Sequence, residues 1–287
     1  MFDFRYHAVS LAAVLVALAV GVLLGVAIGD AGLVSSAEKQ VRASLRDDVR
    51  SAQAKEQESA DALAGERRYV RDSYPFVVSK RLQGLRIGLL FLGRPSDQVA
   101  SDVRSALTGS GGRLTGTLAL REPPDLSALA AAAGKGRFAQ LDSSARSLPA
   151  FGRTIGRQMV MGGALLKRES RALFSSRAGG LGPFDAVVLA RSPRALRGEN
   201  AANTNALENG LVDGLTLTRI AVVGVQLSDT VPTQIGWYQN HQLTSVDNID
   251  QTSGQAALVL SLAGAEGTFG TGADAGALLP GPEVAAR

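Results

Sequence analysis

Residues 8–29, AVSLAAVLVALAVGVLLGVAIG, run for 22 positions without a charge, and Ser10 is their only polar side chain. As a helix this run is about 33 Å long at ~1.5 Å per residue, enough to cross a hydrocarbon core of about 30 Å. It exceeds the roughly 7–15 apolar residues of a signal peptide, and no clear cleavage sequence follows it. It reads as a retained membrane anchor, residues 1–30. Nothing downstream is apolar enough for a second span, and an external tail of seven residues would be unusually short. The expected protein is therefore single-pass in the plasma membrane, with a cytoplasmic N-terminus and an extracytoplasmic C-terminal domain. Lys39, Arg42 and Arg46 beyond the span run against the positive-inside rule, so charge alone leaves the orientation open.

Within the span, Ala13, Ala17, Gly21, Gly25 and Gly29 recur every four residues. That spacing lines five small residues along one helix face and includes two overlapping G-x-x-x-G patterns. Small residues let backbones approach closely in lipid, so a homodimer is expected.

From Leu33 to Ala64 there is no Gly or Pro, and good helix formers dominate. Tyr74-Pro75 is expected to end this helix at Ser73. Residues 31–74 thus read as a coiled-coil stalk of about 60 Å. The best seam places Val49, Glu56, Leu63 and Val70 at one core position and Leu45, Ala52, Ser59 and Glu66 at the other. Glu56, Ser59 and Glu66 weaken it. Such a seam suits a dimer held mainly by its anchor, or a surface of residues 33–73 that takes an envelope partner's helix. A lone solvated spacer is the alternative.

Residues 75–266 change character and read as an α/β domain. Expected strands are 85–92, 114–120, 185–190, 219–225 and 244–247. Expected helices are 96–107, 125–133, one or two basic helices over 149–175, 199–214 and 252–262. Strands apolar on both faces that alternate with helices imply a Rossmann-like, mostly parallel sheet. Residues 267–287 read as a Gly-rich tail.

The chemistry is sparse. There is no Cys, and only His7 and His241 carry imidazoles. The turn after the first strand reads Gly93-Arg94-Pro95-Ser96, not a dinucleotide fingerprint. No Walker loop or nucleophile elbow is present, so no enzyme activity and no catalytic residue is expected. Met159 and Met161 are soft donors suited to Cu(I), although two residues apart on a helix they diverge, and core filling is the competing role. His241 is the third candidate copper ligand, with Asp247 and Asp250 the nearest acids in sequence. Asp247, Asn248 and Asp250 are alternatively turn formers ending the fifth strand. Copper is the only cofactor these donors suggest, and none is assigned.

Charge is uneven. Residues 38–200 carry 27 Lys and Arg against 16 acids, whereas residues 201–287 carry two against eight. Residues 146–197 alone hold ten Lys or Arg against Glu169 and Asp185. This basic segment suits an anionic lipid, an envelope polymer or an acidic protein. Nucleic acid is not expected outside the cytoplasm.

The opening from Phe4-Arg-Tyr-His7 to Gly25 resembles the start of the actinobacterial MctB family, named for mycobacterial copper transport. The anchor-plus-helix layout, Val246-Asp-Asn-Ile-Asp250 followed by Gly254 and Ala256–Leu260, and Gly267-x-Phe-Gly270 extend the likeness over nearly the whole chain. The resemblance implies an actinobacterial envelope protein acting in copper export or homeostasis. One span supplies neither a helix bundle nor a barrel. The second reading is accordingly a non-enzymatic dimeric adaptor that positions a cell-envelope or cell-division protein, such as a wall hydrolase.

Overall fold

The apolar run folds as α1, Phe4–Asp30, in a computed structural model that describes residues 4–30, 33–134, 136–143 and 145–281. Among the described residues, Arg5–Ile28 is the one helical stretch long and apolar enough to cross a membrane. Its side chains are exposed all round, and it has no polar face. Two units divide the chain, Met1–Arg68 and Tyr69–Arg287.

The next helix, α2, spans Leu33–Val78 and so runs past the expected stop, with Pro75 inside it. Proline there removes one amide, which leaves only the carbonyl four residues back, at exposed Arg71, without its helical donor. Packing offsets this loss. Val78 is fully buried, and the Tyr74 hydroxyl donates to the Ala106 carbonyl at 2.7 Å. Burial pushes that phenol up to about 12.

The sheet has seven strands: β1 (Arg86–Leu92), β2 (Arg113–Leu120), β3 (Phe174–Gly179), β4 (Ala186–Arg191), β5 (Ala221–Val225), β6 (Thr244–Val246) and β7 (Thr268–Phe269). Their order is β3-β2-β1-β4-β5-β6-β7, and every pair is parallel except β2 with β3. The intervening helices are α3 (Asp97–Leu107), α4 (Leu126–Ala133), α5 (Leu148–Met161), α6 (Ala164–Leu173), α7 (Gly198–Thr216), α8 (Ile235–Asn240) and α9 (Thr252–Leu262).

Alternation along the strands feeds two cores. Ile87, Leu89 and Phe91 of β1 join Val188 of β4 and pack with Val99 and Val103 of α3 and Leu258 of α9. Leu90 and Leu92 join Val187 and Leu189 and pack with Phe151 and Ile155 of α5 and Leu207 and Leu211 of α7. Both faces of the sheet are covered, as the apolar strands required. Helix α3 starts where Ser96 accepts from the Val99 amide at 3.3 Å.

Three elements depart from expectation. The edge strand β3, Phe-Ser-Ser-Arg-Ala-Gly, is exposed beyond Phe174 and lacks an apolar run. Six-residue α8 is too short for periodicity. The supposed tail supplies β7, and its Ala277 bridges to Phe269; residues 282–287 lie outside the described residues.

Helix α6 buries Glu169 completely, with neither carboxylate oxygen hydrogen-bonded among the described residues. Burial raises its pKa from 4.5 to about 7, against the pull of Arg168. The native state therefore holds this proton more tightly than the unfolded chain does. Its contribution to stability is full below pH 4.5 and lost as pH rises through about 7. The loss is at most ~3–4 kcal/mol, since a tenfold change in proton affinity is about 1.4 kcal/mol. Glu169→Gln is expected to flatten this slope in urea denaturation between those pH values; an unchanged slope would show that Glu169 is ionised and solvated.

Candidate functional site

Consecutive crossovers leave β1 and β4 on opposite faces, because α3 packs in one core and α7 in the other. Neighbouring strands whose chains diverge this way open a crevice at their carboxyl ends. The crevice encloses about 780 Å³ and is walled by the β1–α3 loop, the β2–α4 loop and the β4–α7 loop. Arg94, Arg121, Glu122, Ser175, Ser192 and Arg194 bring its polar chemistry.

A buried ion network forms the floor. Arg194 Nη1 donates to Glu122 Oε1 at 2.5 Å and to Glu208 Oε1 at 2.6 Å, and its Nη2 also reaches Glu208. Arg191 Nε donates to Glu208 Oε2 at 3.4 Å. Glu208 has no exposed surface. Burial lowers the Arg191 pKa, with the Glu208 charge opposing it. Arg191 also lies 4.8 Å over the Trp237 ring and reaches Gln234. The Arg191 amide donates to the buried Tyr238 hydroxyl at 2.8 Å, and burial pushes that phenol up.

The candidate copper ligands do not meet. Met159 is fully buried in the core of α5, whereas Met161 is 70% exposed at the end of the same helix. His241 Nδ1 is 2.8 Å from the Trp237 carbonyl and Nε2 is 3.0 Å from Asn209 Oδ1, so both ring nitrogens are engaged. Among the described residues, no three of His, Asp and Glu gather closely enough to hold a metal ion. The donor set therefore does not fit a copper ion as it stands.

The other motif holds loops. Asp247 Oδ1 accepts from the Thr271 amide and Oδ2 from the Gly272 amide, both at 2.9 Å. A Cβ on Gly270 would stand 1.7 Å from Asp247 Oδ1, so only glycine fits there. Asn248 Nδ2 donates to Gln251 Oε1 at 3.3 Å and Ser253 Oγ at 3.1 Å, opening α9. Asp250 accepts from both the amide and the hydroxyl of Ser228 at 2.7 Å. None of the three carboxylate or amide groups points to His241.

On α1, Ala13, Ala17, Gly21 and Gly25 are exposed, and a Cβ on Gly21 or Gly25 would meet nothing within 4 Å. Gly29 belongs to the same helix; its surroundings lie outside the described residues. The basic segment 146–197 is spread over α5, α6, β3, β4 and the β4–α7 loop. Arg191 and Arg194 turn inward, and Arg153 pairs with Asp213 at 2.9 Å.

A family model described as "Copper transport outer membrane protein, MctB" matches residues 1–280. The chain belongs to the MctB family. No curated protein matches it. The match takes in both the N-terminal apolar helix and the α/β domain.

For this MctB-family chain, the crevice residues escaped sequence reading. Their signature is a charged or hydroxyl residue within three positions of each buried strand's end: Arg94 after β1, Arg121 and Glu122 after β2, Ser192 and Arg194 after β4. The Asp247 cap yields a direct prediction. Asp247→Ala should free residues 268–277 from β6, raising their amide exchange at least about tenfold and costing ~2 kcal/mol. Unchanged exchange there would show that the sheet edge holds without it.

Proposed function

We propose that this MctB-family protein is a single-pass scaffold of the cell envelope, anchored in the plasma membrane with its α/β domain outside, and that it serves copper homeostasis by positioning a partner rather than by carrying the ion. The observation that carries this reading is α2. Its side chains are exposed from residue 38 to residue 72, and Leu45, Val49, Leu63 and Val70 lie among them. Pairs such as Arg42–Glu38 at 2.6 Å and Gln57–Asp61 at 3.0 Å support the helix. Each contributes only a few tenths of a kcal/mol. A helix this long and solvated gains its stability from burial against another helix. The spacing of the four apolar residues fits a second copy, brought alongside by the Gly face of α1, with an envelope protein's helix as the further partner.

The copper arm of the reading rests on the donors. Met159 is sealed in the core, and both nitrogens of His241 are taken. The sheet is open and covered by helices, unlike a membrane barrel.

The chain lacks Cys, so single-cysteine variants report clean crosslinks. In membranes, Val49→Cys and Leu63→Cys should oxidise to disulfide-linked dimers, whereas Asp47→Cys and Asp61→Cys on the far side should not. Gly21→Ile combined with Gly25→Ile should lower the yield. Equal crosslinking at all four positions, or none, would sink the seam. In parallel, the full-length protein is titrated with Cu(I) and Cu(II) against a competing chelator. Stoichiometric binding tighter than about micromolar that is lost in Met161→Ala or His241→Ala would overturn the scaffold reading in favour of a direct copper carrier.

A further inference from the structure

We infer that the crevice at the carboxyl ends of β1, β2 and β4 is a binding site for a free phosphomonoester of a polyol, the sugar-phosphate class. Four charged side chains line it: Arg94, Arg121, Arg194 and Glu122. They are not equivalent. Arg194 is neutralised on the floor by Glu122 and Glu208. The Arg94 guanidinium, at the end of β1, makes no hydrogen bond or ion pair among the described residues. Arg121 donates only to main-chain carbonyls, Nε to Ala172 at 3.0 Å and Nη2 to Arg171 at 3.5 Å, capping α6 without losing its charge. Two guanidiniums thus stand uncompensated by any carboxylate among the described residues, on loops that the sheet holds in place. Arginine binds phosphate oxygens through paired, charge-assisted hydrogen bonds. Two such cations match the double negative charge of a monoester better than the single charge of a diester.

The remaining groups favour a hydroxylated body on that phosphate. Ser192 Oγ gives its proton to the Arg94 carbonyl at 2.9 Å, which leaves its oxygen as an acceptor. Glu122 spends one oxygen on Arg194 and offers the other beside Gly93. Gly93 has φ +104°, and a Cβ there would fall 2.4 Å from that second oxygen. Glycine at this position keeps the carboxylate and the β1–α3 loop in contact. A volume of about 780 Å³ holds a sugar phosphate with room for water, within the ~300–1,000 Å³ of small-molecule sites. The place is also where open parallel sheets present ligands, beside the strands whose crossovers diverge.

The test uses the full-length protein in detergent micelles, titrated with glucose 6-phosphate by calorimetry. Trp237, the only tryptophan, gives a second readout, since it stacks on Arg191, which shares Glu208 with Arg194. The expected result is saturable one-site binding with Kd below about 1 mM. Glucose should give no heat, and glycerophosphoinositol, a diester headgroup, should bind at least about tenfold more weakly. Arg94→Gln should weaken glucose 6-phosphate by about tenfold or more, Arg94→Lys by less, and Arg157→Gln, which removes the same charge from an exposed position on α5, should change nothing. Melting curves run alongside confirm that each variant is folded. Absence of saturation overturns the proposal. So does an equal loss in Arg157→Gln, which would reduce it to general attraction. A diester bound as tightly as the monoester overturns the assigned class and points to a lipid headgroup instead.

Discussion

Gly156→Val is expected to abolish the native α/β domain or leave it barely stable. A Cβ at Gly156 would stand 2.2 Å from the Leu211 carbonyl and 2.9 Å from the Leu215 amide. Nothing flexible can yield there, because the clash is with the backbone of α7. The contact is reciprocal. A Cβ on Gly152 would fall 2.4 Å from the Leu207 carbonyl, one on Gly210 2.1 Å from that of Pro149, and one on Gly214 2.2 Å from that of Arg153. Helices α5 and α7 therefore touch main chain to main chain along two turns, and their separation is set by four hydrogens in place of side chains. Pushing them apart opens the core that Phe151, Ile155, Leu207 and Leu211 fill. Overpacking a tight core costs ~1–3 kcal/mol, and more where backbone must move, against a total stability of about 5–15 kcal/mol. Urea denaturation of Gly156→Val beside Gly65→Ala checks this. Gly65 lies in α2 with nothing within 4 Å of its would-be Cβ, so alanine there should be neutral or stabilise by up to ~1 kcal/mol. Equal midpoints for both variants would refute the close packing.

Glu208→Ala is expected to cost ~3–5 kcal/mol, the second large effect. Glu208 has no exposed surface and accepts from both Arg191 and Arg194. Its removal leaves two guanidiniums largely desolvated, with only Glu122 still opposite Arg194 at 2.5 Å. Glu208→Gln keeps an acceptor but loses the charge, so it should fall between wild type and alanine. A loss below about 1 kcal/mol for Glu208→Ala would mean that water already compensates these cations. The arrangement also fixes the β4–α7 loop, since Arg194 Nη2 reaches Asn205 of α7 at 3.2 Å as well.

What the sequence revealed and what it hid divide by range. Strands β1, β4 and β5 announced themselves because each is a continuous apolar run that both cores use. Helix α3 showed its capping serine and its buried stripe of Val99, Val103, Ala106 and Leu107. The MctB likeness, carried by the opening residues and by short motifs over nearly the whole chain, agrees with the family match over residues 1–280. Hidden features are those made by partners far apart in the chain. Glu122 and Arg194 are 72 residues apart, and Arg86 and Asp185, bonded at 2.8 Å, are 99 apart. No spacing rule connects them. Strand β3 was hidden because an exposed antiparallel edge needs no apolar pattern. The helix end at Pro75 was misplaced because the burial of Val78 outweighed a local preference. Most instructive are the glycines. The four-residue spacing that stands out in α1 occurs again at Gly152 and Gly156, and at Gly210 and Gly214. There the intervening residues are mixed in polarity, so nothing marks the pairs as a packing face until α5 and α7 are seen together.

The position of β7 has a consequence for how the protein is made. β6 has only three residues, and its outer side is covered by Thr268–Phe269, held in turn through Asp247. Among the described residues β7 is the last of the seven strands in chain order, so this edge of the sheet closes only after every other strand has been made. A chain interrupted before Thr268 would already contain both sides of its core and yet carry a raw β6 edge, open to the same edge on a neighbour. Residues 268–277 thus guard an edge, and a molecule that lacks them or has them displaced presents β6 to its neighbours.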